Sequence, residues 1–339
     1  MIINFVKMQA GGNDFVVLDN RKSVLTDRQS VLTDRKKNLP KNYSKLAKRL
    51  CANKFSIGAD GLLILENSKR GNAHFRMLYF NADGSEASFC GNGASCLSLF
   101  AYEKKIAPAR MNFLSKSGIV SAIVEGKKVK LKMPNPRGLN LDFSLDVDGK
   151  TYLLSFLDTG VPHTVNFVPD IEKTDVRNLG RKIRYHQFFK PEGTNVDFVQ
   201  VKDRKTILIR TYERGVENET LSCGTGVVAS AIITGVKNLV SPPVNILTRS
   251  GEILKVYYQL KSEKYEISRG VYPAPFKNEI ASPHCFLARR PDSRRETRGQ
   301  AKARSGGRND KRRCGARNDM VEVYLENSPK IVFAGQVYI

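Results

Sequence analysis

One short pattern occurs twice in this chain, in the same setting each time. Asn81-Ala82-Asp83-Gly84-Ser85-Glu86 leads through Ala87-Ser88-Phe89 to Cys90-Gly91-Asn92-Gly93-Ala94, and Glu213-Arg214-Gly215 leads through Asn218-Glu219-Thr220-Leu221-Ser222 to Cys223-Gly224-Thr225-Gly226-Val227. In both copies Cys-Gly-x-Gly opens a small apolar stretch of helical character, and a Glu (Glu86, Glu219) stands four residues before the Cys. An aromatic and then a polar residue, Phe80-Asn81 and Tyr212-Glu213, lie further upstream in each. The two cysteines are 133 positions apart. This spacing predicts a duplicated fold in which each half carries one thiol at a helix start. Two such thiols can face one substrate from opposite sides, which suits chemistry needing an acid on one side of a carbon and a base on the other.

A chain of 339 residues accommodates two ordinary domains, each with a real core. Period-2 apolar alternation and β-branched runs predict strands at Ile2–Met8, Phe15–Asp19, Gly61–Glu66, His74–Phe80, Gly118–Val124, Val129–Met133, Tyr152–Leu157, Thr194–Val201, Thr206–Tyr212 and Glu252–Gln259. Helices are predicted at Tyr43–Asn53, Gly91–Lys104, Val176–His186 and Thr225–Val236. The last is apolar almost all round and must be buried. The reading is therefore α+β. Pro134-Asn135-Pro136-Arg137-Gly138 ends a strand, so the halves are taken as residues 1–135 and 136–339.

Two segments read as insertions. Ser23-Val24-Leu25-Thr26-Asp27-Arg28 is repeated at once as Ser30-Val31-Leu32-Thr33-Asp34-Arg35, a local duplication within a surface loop at about 22–40. A second insert, about 270–320, is Pro-rich and then Arg-rich. Its large apolar residues are too few to offset the entropy of ordering it, so a disordered segment is expected there. The net charge of +23 would ordinarily suggest nucleic acid. However, Arg289–Arg317 alone holds 12 Lys+Arg against 3 Asp+Glu, and this run lacks aromatic residues for base stacking. A solvated insertion is the better reading, and no nucleic-acid or membrane partner is expected. No apolar run reaches the roughly 18 residues of a membrane span, and the first residues read as a strand rather than a signal peptide. Six irregularly spaced cysteines are read as free thiols of a cytoplasmic protein. His and Cys nowhere stand at zinc-ligand spacing, so no metal is expected.

The chemistry follows from the helix starts. A thiol has a pKa of about 8.5, and the aligned N–H groups of a helix N-terminus lower it. Glycines after Cys90 and Cys223 let a ligand approach the backbone. The N–H groups of Gly91, Asn92, Gly224 and Thr225 then form an anion site for a substrate carboxylate. One sulfur, as thiolate, removes the α-proton; the other, as thiol, returns a proton from the opposite face. The stereocentre inverts, and no cofactor is needed. A lone Cys at a helix start is ordinarily a small buried residue; two in matching frames point to catalysis. Cys96 and Cys51 read as packing. Glu213, Arg214 and Asn81 end strands beside the two helix starts and read as substrate ligands. Asn13, in Gly11-Gly12-Asn13-Asp14, and Asn195, in Gly193-Thr194-Asn195, are each explained by a turn alone. A lone His is usually structural, but His163, in Gly160-Val161-Pro162-His163, opens the second half as Gly11-Gly12-Asn13 opens the first.

With these residues assembled, the sequence resembles the diaminopimelate epimerase family. The matching segments are Gly11–Phe15, Ser56–Gly61, Phe80–Glu86 with Cys90–Gly93, Gly193–Phe198, Tyr212–Gly215 and Cys223–Gly226. The resemblance implies two pseudo-symmetric domains, each a mixed β-sheet curled barrel-like around a central helix, with the site between them. It implies cofactor-independent interconversion of LL- and meso-diaminopimelate for lysine and peptidoglycan synthesis, by a homodimer. Cys90 and Cys223 would be the acid–base pair. Gly91, Asn92, Gly224 and Thr225 would hold the reacting carboxylate, and Glu213 the ammonium. Arg214, Asn81, Asn13 and Asn195 would orient the substrate, with His163 near the site. Val161 stands where the family often has Asn. The family also lacks the Arg-rich insert, after which Val321–Ile339 resembles its closing strands. The rival readings are a proline or hydroxyproline racemase of the same fold, whose first motif resembles Cys-Gly-His-Gly where this chain has Asn92, and a nucleic-acid-binding protein using the Arg-rich run.

Overall fold

The structure is a computed structural model and describes residues 1–21, 39–260 and 320–339. The doubled heptad and most of the basic insert, with His284, Cys285 and Cys314, lie outside the described residues, as does the disorder expected of the insert.

The first half runs β1 (Ile2–Ala10), β2 (Asn13–Asp19), α1 (Tyr43–Leu50), β3 (Gly61–Glu66), β4 (Phe75–Asn81), α2 (Gly91–Glu103), β5 (Arg110–Ser115), β6 (Gly118–Glu125) and β7 (Lys128–Lys132). The second runs β8 (Arg137–Val147), β9 (Lys150–Asp158), β10 (Pro162–Phe167), α3 (Val176–Arg184), β11 (Asn195–Asp203), β12 (Thr206–Glu213), β13 (Asn218–Thr220), α4 (Gly224–Val236), β14 (Val244–Leu247), β15 (Ile253–Leu260) and β16 (Met320–Asn327). The closing strand β17 (Lys330–Tyr338) returns to the first half and pairs antiparallel with β1.

The duplication expected from the two cysteines is written into the pairings. From β1 to β7 successive neighbours pair antiparallel, parallel, antiparallel, parallel, antiparallel and antiparallel. The series β9, β10, β11, β12, β14, β15, β16 repeats that order. Strand β17 flanks β1 as β8 flanks β9. The halves meet where β7 pairs with β16, two strands equivalent in the repeat. All the described strands therefore form one continuous sheet.

Burial explains why the central strands read as nearly unbroken apolar runs. Strands β2 and β3 are covered on both faces. Phe15, Val17, Leu63 and Leu65 face the core that holds α2, whereas Val16, Leu18, Leu62 and Ile64 pack with Leu46, Ala47 and Leu50 of α1. In the second half Val199 faces the shared core, and Val196 and Phe198 pack with Val176 and Ile183 of α3. Helices α2 and α4 are buried on almost every side, and their apolar residues belong to one common core. The fold is thus the expected one, except that the two mixed, curled halves, each wrapped around a central helix, are joined into one sheet.

Candidate active site

The N-caps of α2 and α4 are Cys90 and Cys223, both with extended backbone (φ −144° and −122°). Their carbonyls accept the first helical hydrogen bonds, from Ala94 N–H and Val227 N–H. The N–H groups of Gly91, Asn92, Gly224 and Thr225 precede these bonds and have no acceptor within the helix. Among the described residues no disulfide engages either thiol.

The two thiols differ in their surroundings. Cys90 Sγ accepts from the Gly93 N–H (3.4 Å), and Asn92 beside it is buried and held by amides. Asn92 Nδ2 donates to Asn13 Oδ1 (2.9 Å), and Asn327 Nδ2 donates to Asn92 Oδ1 (3.4 Å). Cys223 Sγ makes no cap bond and lies 3.4 Å from Thr225 Oγ1. Thr225 Oγ1 is 2.9 Å from His163 Nε2, and His163 Nδ1 is 2.7 Å from Asp197 Oδ2.

Burial pushes the Cys90 thiol up to about 11; the Glu213 carboxylate adds to this, and the Gly93 N–H opposes it. Burial also pushes Cys223 well above the ordinary range, with further upward pressure from the carboxylates of Glu213 and Asp197. The expectation that the helix starts lower these pKa values is therefore overturned: loss of solvent outweighs the few N–H dipoles. Glu213 is itself raised, chiefly by burial. Since its charge acts on both sulfurs, one carboxylate lies within electrostatic reach of both thiols.

The expected site residues fall into connected groups. Asn13 and Asn92 bond to each other, and Asn13 Nδ2 also donates to Asp60 Oδ2 (3.1 Å). Asn195 is buried; its Nδ2 donates to Pro162 O, and its Oδ1 accepts from Arg214 N–H (2.8 Å). The Arg214 side chain donates to Glu192 O at the rim. Asn81 ends β4 as Glu213 ends β12, and its Nδ2 donates to Ser85 Oγ. Its strand end is tied to the Asn13 group because Ala82 N–H donates to Asp60 O.

Four further residues join the site. Asp60 and Asp197 lie inside segments whose sequence pattern stood out, but nothing local marks an Asp beside a strand as shared between segments, or one within a strand as buried. Asn327 and Glu252 come from the far end of the chain. Glu252 clamps the turn between β1 and β2: its Oε1 accepts from Gln9 Nε2 and its Oε2 from Gly11 N–H, each at 2.7 Å. That turn has Gly11 and Gly12 at φ +58° and +83°, as a two-residue hairpin of this hand requires. A Cβ on Gly12 would also strike Ser250 and Leu221 of the second half. The two halves are closed upon one another at the site.

A duplicated sheet wrapped on two central helices is the fold class of this chain. Two solved structures share it. One is a probable proline racemase from Agrobacterium radiobacter K84, with TM-score 0.60, 13% identity, and 99% and 93% of the two chains covered. The other is a phenazine biosynthesis protein of the PhzF family from Bacillus anthracis, with TM-score 0.61, 12% identity and both chains covered throughout. At such identities the likeness is one of fold alone.

Sequence narrows the class. The family model described as diaminopimelate epimerase matches residues 5–137 and 155–270. The diaminopimelate epimerase of Aquifex aeolicus is 42% identical over 273 residues, 80% of this chain and 95% of that protein. That of Caldanaerobacter subterraneus is 36% identical, covering 79% of this chain and 98% of that protein. The chain belongs to the diaminopimelate epimerase family.

Proposed function

We propose that this protein interconverts LL- and meso-diaminopimelate by passing the α-proton between Cys90 and Cys223, serving lysine and peptidoglycan synthesis. The observation that carries the reading is the pairing of two uncombined thiols on register-equivalent helix starts, both within the field of one carboxylate. The substrate carboxylate binds the N–H groups of Gly91, Asn92, Gly224 and Thr225, which also stabilise the charge that develops as the α-proton leaves. Glu213 takes the reacting ammonium. Arg214, at the rim, suits the distal charged end, and Asn13, Asn81 and Asn195 orient the chain between. Burial disfavours the thiolate on both sulfurs, so each thiolate needs stabilisation from within the site. The acid and base come from the chain itself, so no cofactor or metal takes part in this scheme.

A homodimer is part of the proposal. Strand β17 pairs only with β1 among the described residues, leaving an edge that carries Ile331, Val332 and Phe333 exposed. Beside it lies a cleft lined by Phe5, Arg49, Phe55 and Tyr338, with Phe55 92% and Tyr338 75% exposed. A second copy would cover this apolar edge. The cytoplasm is the proposed location, in keeping with free thiols; no helix among the described residues is long and apolar enough to cross a membrane.

The test is solvent-deuterium incorporation at the α-carbon, followed by NMR, with LL-diaminopimelate and with L-proline. Exchange and epimerisation of the first alone are expected. Cys90→Ala and Cys223→Ala are each expected to abolish epimerisation; near-normal turnover in either would sink the two-thiol scheme.

A further inference from the structure

The repeat allows the ground beneath each thiol helix to be compared position by position. Phe15 pairs with Gly61 across β2 and β3, and His163 pairs with Asn195 across β10 and β11. Two residues on, Val17 pairs with Leu63, and Val165 with Asp197. Phe15 and His163 therefore occupy equivalent places, as do Leu63 and Asp197. The helices sit on them alike. A Cβ on Gly93 would lie 3.1 Å from Leu63 Cδ2 and 3.5 Å from Phe15 Cε1; one on Gly226 would lie 2.5 Å from Asp197 Oδ1.

The same space is filled by an apolar pair under Cys90 and by an imidazole–carboxylate pair under Cys223. Both side chains of the polar pair are completely buried. The first half demonstrates that packing alone needs only Phe and Leu there. Burying His and Asp instead costs desolvation that packing does not require.

The hydrogen bonds run in one line. Asp197 Oδ1 accepts from Thr211 Oγ1 (2.7 Å), and its Oδ2 faces His163 Nδ1. A carboxylate beside Nδ1 fixes the proton on that nitrogen and leaves Nε2 as the acceptor for Thr225 Oγ1–H. The threonine oxygen then accepts from Cys223 S–H. Thr159 Oγ1 donates to Thr225 O and helps hold the residue in place. Cys90 has no counterpart to this line: its Sγ accepts from a backbone N–H, and Asn92, in the place of Thr225, is bonded to Asn13 and Asn327.

We infer that Cys223, unlike Cys90, exchanges its proton inside the protein, through the Thr225 hydroxyl to His163, with Asp197 as the positioning residue. The step balances. The S–H bond of Cys223 breaks as its proton joins Thr225 Oγ1, while the proton already on Thr225 Oγ1 moves to His163 Nε2. The products are a thiolate, an unchanged hydroxyl and an imidazolium whose Nδ1–H donates to Asp197. Asp197 from β11, in direct contact, and Glu213 from β12 are ionisable groups that interact with the imidazole. The Nδ1–H of the imidazolium formed at His163 stays on the Asp197 carboxylate, so the thiolate on Cys223 forms without its proton entering solvent. The inference rests on the reading of Cys223 as one of the two acid–base groups.

The test uses Asp197→Asn, Thr225→Val, Thr225→Ser and Cys223→Ala in the full chain. Two readouts are taken: kcat and KM for epimerisation, and the pH 8 iodoacetamide alkylation rate of Cys223 relative to Cys90 in the same molecule, by peptide mass spectrometry. Thr225→Val and Asp197→Asn are expected to lower kcat by about 10- to 100-fold with little change in KM. The Cys223:Cys90 alkylation ratio should fall about tenfold, and Thr225→Ser, which keeps the hydroxyl, should restore both. Cys90 serves as the internal control for folding. Should Asp197→Asn fail to fold, Thr225→Val still decides the matter. Wild-type kcat and alkylation ratio in Thr225→Val, with Cys223→Ala inactive, would overturn the relay alone. An active Cys223→Ala would overturn the two-thiol reading beneath it.

Discussion

Replacing Gly226 by Ala, with Gly93→Ala as its twin, measures how rigidly the polar pair is held. In a helix, Ala is favoured over Gly by up to about 1 kcal/mol. At Gly93 the new methyl meets Leu63 Cδ2 at 3.1 Å and Cys90 Cβ at 3.6 Å. The Leu63 methyl can yield by a few tenths of an ångström, so Gly93→Ala should fall within about 1 kcal/mol of the wild type. At Gly226 the methyl would stand 2.5 Å from Asp197 Oδ1 and 3.1 Å from Cγ and Oδ2. That carboxylate is fixed on both oxygens, by Thr211 and His163, each at 2.7 Å. Displacing it weakens a buried hydrogen bond to a charged group, a loss of about 1.5–3 kcal/mol. Part of this is returned by helix propensity, and the net expectation is destabilisation by about 1–2 kcal/mol. Urea unfolding followed by circular dichroism reads this as a lower midpoint at unchanged slope. Equal midpoints for the two variants, or a more stable Gly226→Ala, would refute the claim that Asp197 cannot move.

The raised Cys90 pKa carries a sign. With a value of about 11, alkylation of Cys90 in Cys223→Ala should climb about tenfold per pH unit between pH 8 and 10; a plateau below pH 9 would contradict it. The β17 edge predicts that Phe333→Asp yields a monomer by sedimentation while the wild type sediments as a dimer. A monomeric wild type would remove the argument from the exposed edge.

Much of this architecture was legible in the chain. The matched Cys-Gly-x-Gly segments gave both buried helices and the duplication, because a helix with no polar face must be enclosed on all sides. Periodicity also located β1 to β4, β6, β7, β9, β11, β12 and β15. It missed β8, although Leu139, Leu141, Phe143, Leu145 and Val147 alternate with polar residues there, and it was silent on β14, whose four residues are too few to show a period. The site was legible where a residue's neighbours were unusual, as at Cys90 and Cys223. Asp197 was not, because Val196 and Phe198 beside it make the segment an ordinary strand, and only the pairing of β10 with β11 brings it to His163. Asn327 and Glu252 escaped for a related reason: their partners Asn92 and Gly11 lie more than two hundred positions away.

The join between β7 and β16 bears on how a substrate gets in. Four rungs, from Val129 opposite Asn327 to Lys132 opposite Tyr324, stitch the halves together like the spine of a book. Swinging them apart as separate bodies would tear that stitching. Flexing along the spine would keep it whole, and the Glu252 clasp on Gln9 and Gly11 is a second tie between the covers. Asn327 sits at the end of the spine with its amide on Asn92, which ties the join to the residue two positions from Cys90.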